Sequence, residues 1–148
     1  MKVVRQLIPS IGQNGAYIAF ALALAASLAS LGLSEILGLP PCVLCWYQRI
    51  CMYPLVVIIG VGILRRSRDL VAMAAPLVVI GWGIALYHSL LQWNILPEAA
   101  APCRAGVSCT TVHINLLGFM TIPFGSLVAF TAIGVVLYLY QKEQTRVA

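Results

Sequence analysis

Four stretches of the chain are almost wholly apolar, and short polar segments separate them. Residues 14–34, "NGAYIAFALALAASLASLGLS", carry no charge. At about 1.5 Å per residue, a helix of that length covers the roughly 30 Å of a bilayer core. Residues 46–64 form a second run, which tolerates one arginine, Arg49, near its start. Residues 70–93 and 120–140 form a third and a fourth. In hydrocarbon every backbone polar group needs an internal partner, so the pattern predicts helices. Pro54, Pro76 and Pro123 fit near helix starts or as local kinks. None of the four runs has the polar face that a soluble bundle would show to water. The expected fold is therefore all-α: an integral membrane four-helix bundle, with residues 1–148 forming one four-span domain.

Composition agrees with this and then sharpens it. Hydrophobic residues make up 61% of the chain and charged residues only 9%, against roughly 25% charged in an ordinary soluble domain. The net charge of +5 would suit a nucleic-acid partner if it formed a patch, but its placement says otherwise. Lys2 and Arg5 precede the first span, Arg65, Arg66 and Arg68 fill the loop "RRSRD", and Lys142 and Arg146 follow the fourth. Alternation puts all seven on one side, leaving only Arg49 and Arg104 for the other. The positive-inside rule then expects both termini in the cytoplasm, and it accounts for the basic balance with no nucleic acid. The first span lacks a cleavage site and reads as a retained helix, not a signal peptide.

Two segments are left for the outer face, residues 35–45 and 94–119. Four of the five cysteines fall in them: Cys42 and Cys45 in the first, Cys103 and Cys109 in the second. Thiols sorted to an oxidising side are placed for disulfide chemistry. Cys42 and Cys45 form a C-x-x-C at a helix start, where locking so short a loop gains only about 2 kcal/mol. A better use of that position is reactivity, because a helix start and a nearby cation stabilise a thiolate. Arg49 lies one turn beyond Cys45 on nearly the same face, and an arginine inside a membrane helix is a functional candidate by default. The second pair, "CRAGVSC", spans a flexible six-residue step, and Arg104 beside Cys103 favours its thiolate.

Plainer readings stand beside these. The four cysteines could form inert structural disulfides or, with four sulfurs, hold zinc; the oxidising side and the wide second spacing disfavour the metal. Cys51, inside the second run, reads as a packed small hydrophobe. His88, one turn before the end of the third run, suits either a packed polar residue or a site ligand, and His113 reads as a loop residue. Trp46, Tyr47, Tyr87 and Trp93 suit an interfacial aromatic belt.

Taken together, "PCVLCWYQR", "YHSLLQW", the C-x5-C segment and "INLLGFMTIPF" resemble the DsbB family of bacterial disulfide-bond formation proteins, in particular its compact, BdbC-like branch. The likeness runs from about residue 16 to residue 140. It implies a quinone-dependent thiol oxidase of the bacterial inner membrane. Such a protein reoxidises an extracytoplasmic, thioredoxin-fold partner of the DsbA or BdbD kind and passes the electrons to menaquinone or ubiquinone. By position it implies a quinone-proximal disulfide Cys42–Cys45, a partner-facing disulfide Cys103–Cys109, Arg49 beside the quinone ring and, more loosely, His88 near the same site. Cys45, nearest Arg49, is the sulfur expected to meet the quinone as a thiolate. Two other classes fit part of the pattern. A vitamin K epoxide reductase-like protein also joins C-x-x-C and quinone on four helices, but usually carries the motif at the last helix. A disulfide-stapled membrane protein without enzymatic activity would resist mild reductant.

Overall fold

A computed structural model describes residues 2–97, 109 and 121–147, with side chains for 14–97, 109 and 121–146. Four helices account for nearly all of it: α1 (Lys2–Glu35), α2 (Val43–Leu64), α3 (Leu70–Gln92) and α4 (Ile122–Val147). All four are long and apolar enough to cross a membrane, and the fold is the expected all-α four-helix membrane bundle. The helices outrun the apolar runs at both ends of the chain. α4 continues past residue 140 through "QKEQTRV", whose residues are mostly good helix formers, and an Arg146–Glu143 ion pair of 3.6 Å bridges its last turn. Apolarity marks the bilayer; propensity decides where the helix stops.

Local signals set the other boundaries. α2 begins at Val43 and not at residue 46, because Cys42 takes the N-cap position. Two helices end in the same way. Asn94 adopts φ 55° after α3, and the N–H groups of Asn94 and Ile95 return to the carbonyls of Leu91 and Leu90 at 3.2 and 3.1 Å. Arg66 does likewise after α2, with φ 49° and bonds from Arg66 and Ser67 to Ile63 and Gly62 at 3.1 and 2.9 Å. Both are Schellman closures, and asparagine tolerates that backbone better than arginine does. Pro54 and Pro76 lie inside α2 and α3.

Short connections, 36–42 and 65–69, make α1, α2 and α3 successively antiparallel. α1 packs on α2 and α4, and α3 packs on the same two, so the helices form a closed square. The half of the bundle towards "RRSRD" is filled by Leu55, Ile59, Leu70, Ala74, Phe130 and Ile133, none more than 1% exposed. Small residues let the backbones approach, as dispersion packing in lipid requires. Gly81 receives the ring of Phe130 so closely that a Cβ there would overlap it. Towards the cysteine end the packing opens into a cavity of about 530 Å³.

Candidate functional site

The turn into α2 builds the site. "GLPPC" ends α1 with Gly38 at φ +65°, and two prolines then lead the chain stiffly to Cys42. Cys42 caps α2: its Sγ accepts the N–H of Cys45 at 3.3 Å, the bond a serine or aspartate makes at most helix starts. The cap folds the first turn so that the two sulfurs stand 2.9 Å apart. That is a hydrogen bond between free thiols, well beyond the roughly 2.0 Å of a disulfide. The two sulfurs are thus held side by side with no bond between them. Cys42 is buried and Cys45 half-buried.

His88, 1% exposed on α3, joins this turn to the second cysteine segment. Its Nε2 lies 3.1 Å from the carbonyl oxygen of Cys109 and 3.8 Å from Cys42 Sγ. Its Nδ1 lies 3.1 Å from the amide nitrogen of Gln48. A carbonyl only accepts, so Nε2 carries the hydrogen. The Gln48 amide donates, so Nδ1 is the acceptor and the ring hydrogen sits on Nε2. Three donors can therefore converge on Cys42 when it is a thiolate: the Cys45 thiol, the Cys45 N–H and His88 Nε2–H. The first of these is the largest influence, and together they outweigh burial and hold the Cys42 thiol well below the usual thiol range. Cys109 is itself disulfide-bonded and 1% exposed, and it packs in one small cluster with Cys42, Leu44 and Leu91.

Arg49 turns along the cavity wall. Its Nε donates to Ser30 Oγ at 2.9 Å and its Nη2 to the Ser30 carbonyl at 2.7 Å, and its guanidinium lies 5.6 Å from the Trp46 ring centroid. Among the described residues no carboxylate pairs with it. All four helices line the cavity, and Cys42, Cys45, Arg49, His88 and Cys109 share its lining with apolar side chains. The hydroxyl of Tyr53, another lining residue, is buried and has no hydrogen-bond partner among the described residues.

Of the residues singled out from sequence, Cys42, Cys45, Arg49, His88 and Cys109 meet at this one site. Cys103, Arg104 and His113 lie outside the described residues. Cys51 sits apart, buried in the aliphatic core with Leu55 and Ile59. Trp46, Tyr47 and Trp93 are exposed, as a belt requires. Gln48, Ser30 and Tyr53 were not foreseen. A glutamine and a serine within apolar runs are the available signals, but their partners lie on other helices. Cys42, Cys45 and His88 lie within 4.8 Å of one another, as three metal ligands would. The donor chemistry fits a metal poorly, since Nε2 is spent as a hydrogen donor and Nδ1 as the acceptor from Gln48.

A buried dithiol and a disulfide-bonded cysteine side by side in a multi-pass helical bundle define a membrane thiol:disulfide oxidoreductase. Sequence comparison gives the class its family. The family described as "Disulfide bond formation protein DsbB" matches residues 13–140, and the chain belongs to it. A "Probable disulfide formation protein C 2" of Bacillus anthracis is 45% identical over 129 residues, covering 87% of this chain and 91% of the relative. A "Disulfide bond formation protein C" of Bacillus subtilis is 40% identical, covering 87% and 94%. A "Probable disulfide formation protein" of Chlamydia trachomatis is 40% identical, covering 86% and 93%. No solved structure matches.

Proposed function

We propose that the protein reoxidises an extracytoplasmic thioredoxin-fold dithiol partner and passes the two electrons to a quinone of the cell membrane. One observation carries the reading: Cys42, Cys45, Cys109 and Arg49 line a single cavity with largely apolar walls inside a membrane bundle. The sorting of Lys and Arg supports cytoplasmic termini, with the cysteine end of the bundle outside.

The route follows from burial and contact. Cys109 is disulfide-bonded, and Cys42, Cys45 and Cys51 are free, which supports Cys103–Cys109 as the partner-facing disulfide. Cys109 is buried beside Cys42, so a soluble partner's thiolate attacks Cys103 and displaces Cys109 as a thiolate. The partner's second thiol resolves this mixed disulfide and the partner leaves oxidised. Cys109 then attacks Cys42 of an oxidised Cys42–Cys45 pair and expels Cys45 towards the Arg49 side of the turn. Cys103 closes again on Cys109 and expels Cys42 as a thiolate. The donors around Cys42 stabilise that leaving sulfur, which favours the reduced form of this pair and makes its disulfide the stronger oxidant of the two.

A quinone fits the cavity by shape and chemistry. The walls are largely apolar, and the orphaned Tyr53 hydroxyl and the guanidinium of Arg49, which has no carboxylate partner among the described residues, would supply donors for carbonyl oxygens. When bound, the quinone accepts two electrons and two protons. Arg49 and Tyr53 would hold a carbonyl oxygen of the quinone, and the α1 residues Ala25, Ala26 and Ala29 would line the space beside it.

The test is purified protein in detergent with a reduced thioredoxin-fold partner and a soluble quinone, followed by quinone absorbance and a non-reducing gel. Catalytic quinone reduction is expected, and Cys109→Ser should trap the partner on Cys103. Partner trapped only on Cys42 or Cys45 would reverse the route. No quinone reduction with any thiol donor would remove the acceptor.

A further inference from the structure

Gln48 has no part in that electron route, yet it is 6% exposed on a membrane helix. A buried carboxamide without a partner is costly. Its partner is His88 Nδ1, at 3.1 Å. Imidazole offers two nitrogens of opposite character, and which one holds the proton is set by what the other meets. At Nε2 the neighbours are an obligate acceptor, the Cys109 carbonyl, and the sulfur of Cys42. With the proton on Nδ1 instead, the ring would turn a lone pair towards both.

We propose that Gln48 is a positioning residue: its amide holds His88 in the tautomer with hydrogen on Nε2, and that hydrogen docks the Cys109 backbone against the Cys42 sulfur. The proposal rests on the exchange between the two cysteine pairs described above. His88 is then the mortar between segments that are distant in sequence, and Gln48 sets its polarity. Cys42, Cys45, Arg49 and Tyr53 are the titratable or charged groups that share the cavity lining with His88, all from α2 or its cap. Among the described residues α1 and α4 add none, so no other charge at the site competes with Gln48 for Nδ1.

The test uses full-length protein in detergent with 15N-labelled histidine. The chain has two histidines, so a His113→Gln background isolates the His88 signal. With Gln48 present, hydrogen is expected on Nε2 alone. Gln48→Met keeps the volume and removes the donor; His88 should then populate both tautomers. Thiol exchange between the two pairs, followed by rapid quench, should slow about tenfold, the weight of one buried hydrogen bond. Gln48→Glu offers only acceptors and should place a hydrogen on Nδ1 as well, which keeps the test open if the Met variant folds poorly. An unchanged tautomer in both variants overturns the proposal, as does slowed exchange with the tautomer unmoved. The tautomer is read without partner or quinone, so failure of the electron route leaves that measurement intact.

Discussion

The two halves of the bundle solve opposite problems. Towards "RRSRD" the interior is aliphatic, with Leu55, Ile59, Leu70 and Ile133 buried in one cluster. Towards the cysteines it holds Gln48, His88 and Ser89, each buried, beside a cavity of about 530 Å³. Buried polar groups destabilise a fold unless each finds a partner. Gln48 and His88 find each other, and Ser89 bonds the Ala85 carbonyl at 2.8 Å. One half supplies rigidity through shape, and the other spends that rigidity on holding polar atoms in a fixed array. Substitutions in the first half should therefore change how much protein folds, and substitutions in the second what the folded protein does.

The sharpest break in this contrast is a cysteine of the α2 turn. Cys42→Ser and Cys45→Ser should each abolish quinone reduction from any thiol source while leaving helix content by circular dichroism unchanged. Serine is a good N-cap, so loss of fold in Cys42→Ser would show that the sulfur serves architecture first. Next in size is Arg49. Arg49→Ala should cost roughly 100-fold in turnover, the order found when an electrostatic donor is removed from a reacting centre. Arg49→Lys should cost about tenfold, since it keeps the charge and loses the planar fork. Rates measured at limiting and at saturating quinone decide this; no change at either removes Arg49 from the site.

In the aliphatic half, Gly81→Ala should lower stability by about 1–3 kcal/mol through overpacking against Phe130. Thermal unfolding in detergent would record that loss, with turnover per folded molecule preserved. Acidification should have a smaller effect. The Cys42 thiol is held below the usual range, so its thiolate persists as pH falls through neutrality and disappears only in acid. An ordinary thiol loses about 100-fold of its thiolate over about two pH units in that region. Ultraviolet thiolate absorbance of reduced protein, taken as the difference from Cys42→Ser, should stay nearly flat from about pH 8 to about pH 6. The smallest effect belongs to Cys51→Ala. Cys51 is buried in the aliphatic core, and turnover should stay within about twofold, because a buried free cysteine acts as a small hydrophobe. A loss like that of Cys45→Ser would place a third sulfur in the redox set.

How far the sequence could be read follows the same division. The four spans are properties of contiguous composition and were legible to within a few residues, except where α1 and α4 run on beyond the apolar limit. The C-x-x-C and Arg49 were legible because their relation is local, one helical turn. Gln48 and His88 stand 40 residues apart, and Arg49 and Ser30 stand 19 apart. Such pairs come from the order in which helices close the square, which no local pattern encodes. The C-x-x-C was legible as a helix start, but not that Cys42 itself caps α2, because cysteine is not an expected cap and only the folded turn presents its sulfur to the Cys45 N–H.

That unusual cap has an energetic consequence. In the proposed route the atom that closes the first turn of α2 is also the atom that changes bonding in each cycle. A helix cap is worth about 1 kcal/mol, which for a two-electron couple corresponds to about 20 mV. If the cap weakens when Cys42 is tied into a disulfide, the helix adds that margin to the driving force for reduction. Secondary structure then acts as a small built-in bias on the flow of electrons, and fraying at the start of α2 becomes a readout of redox state.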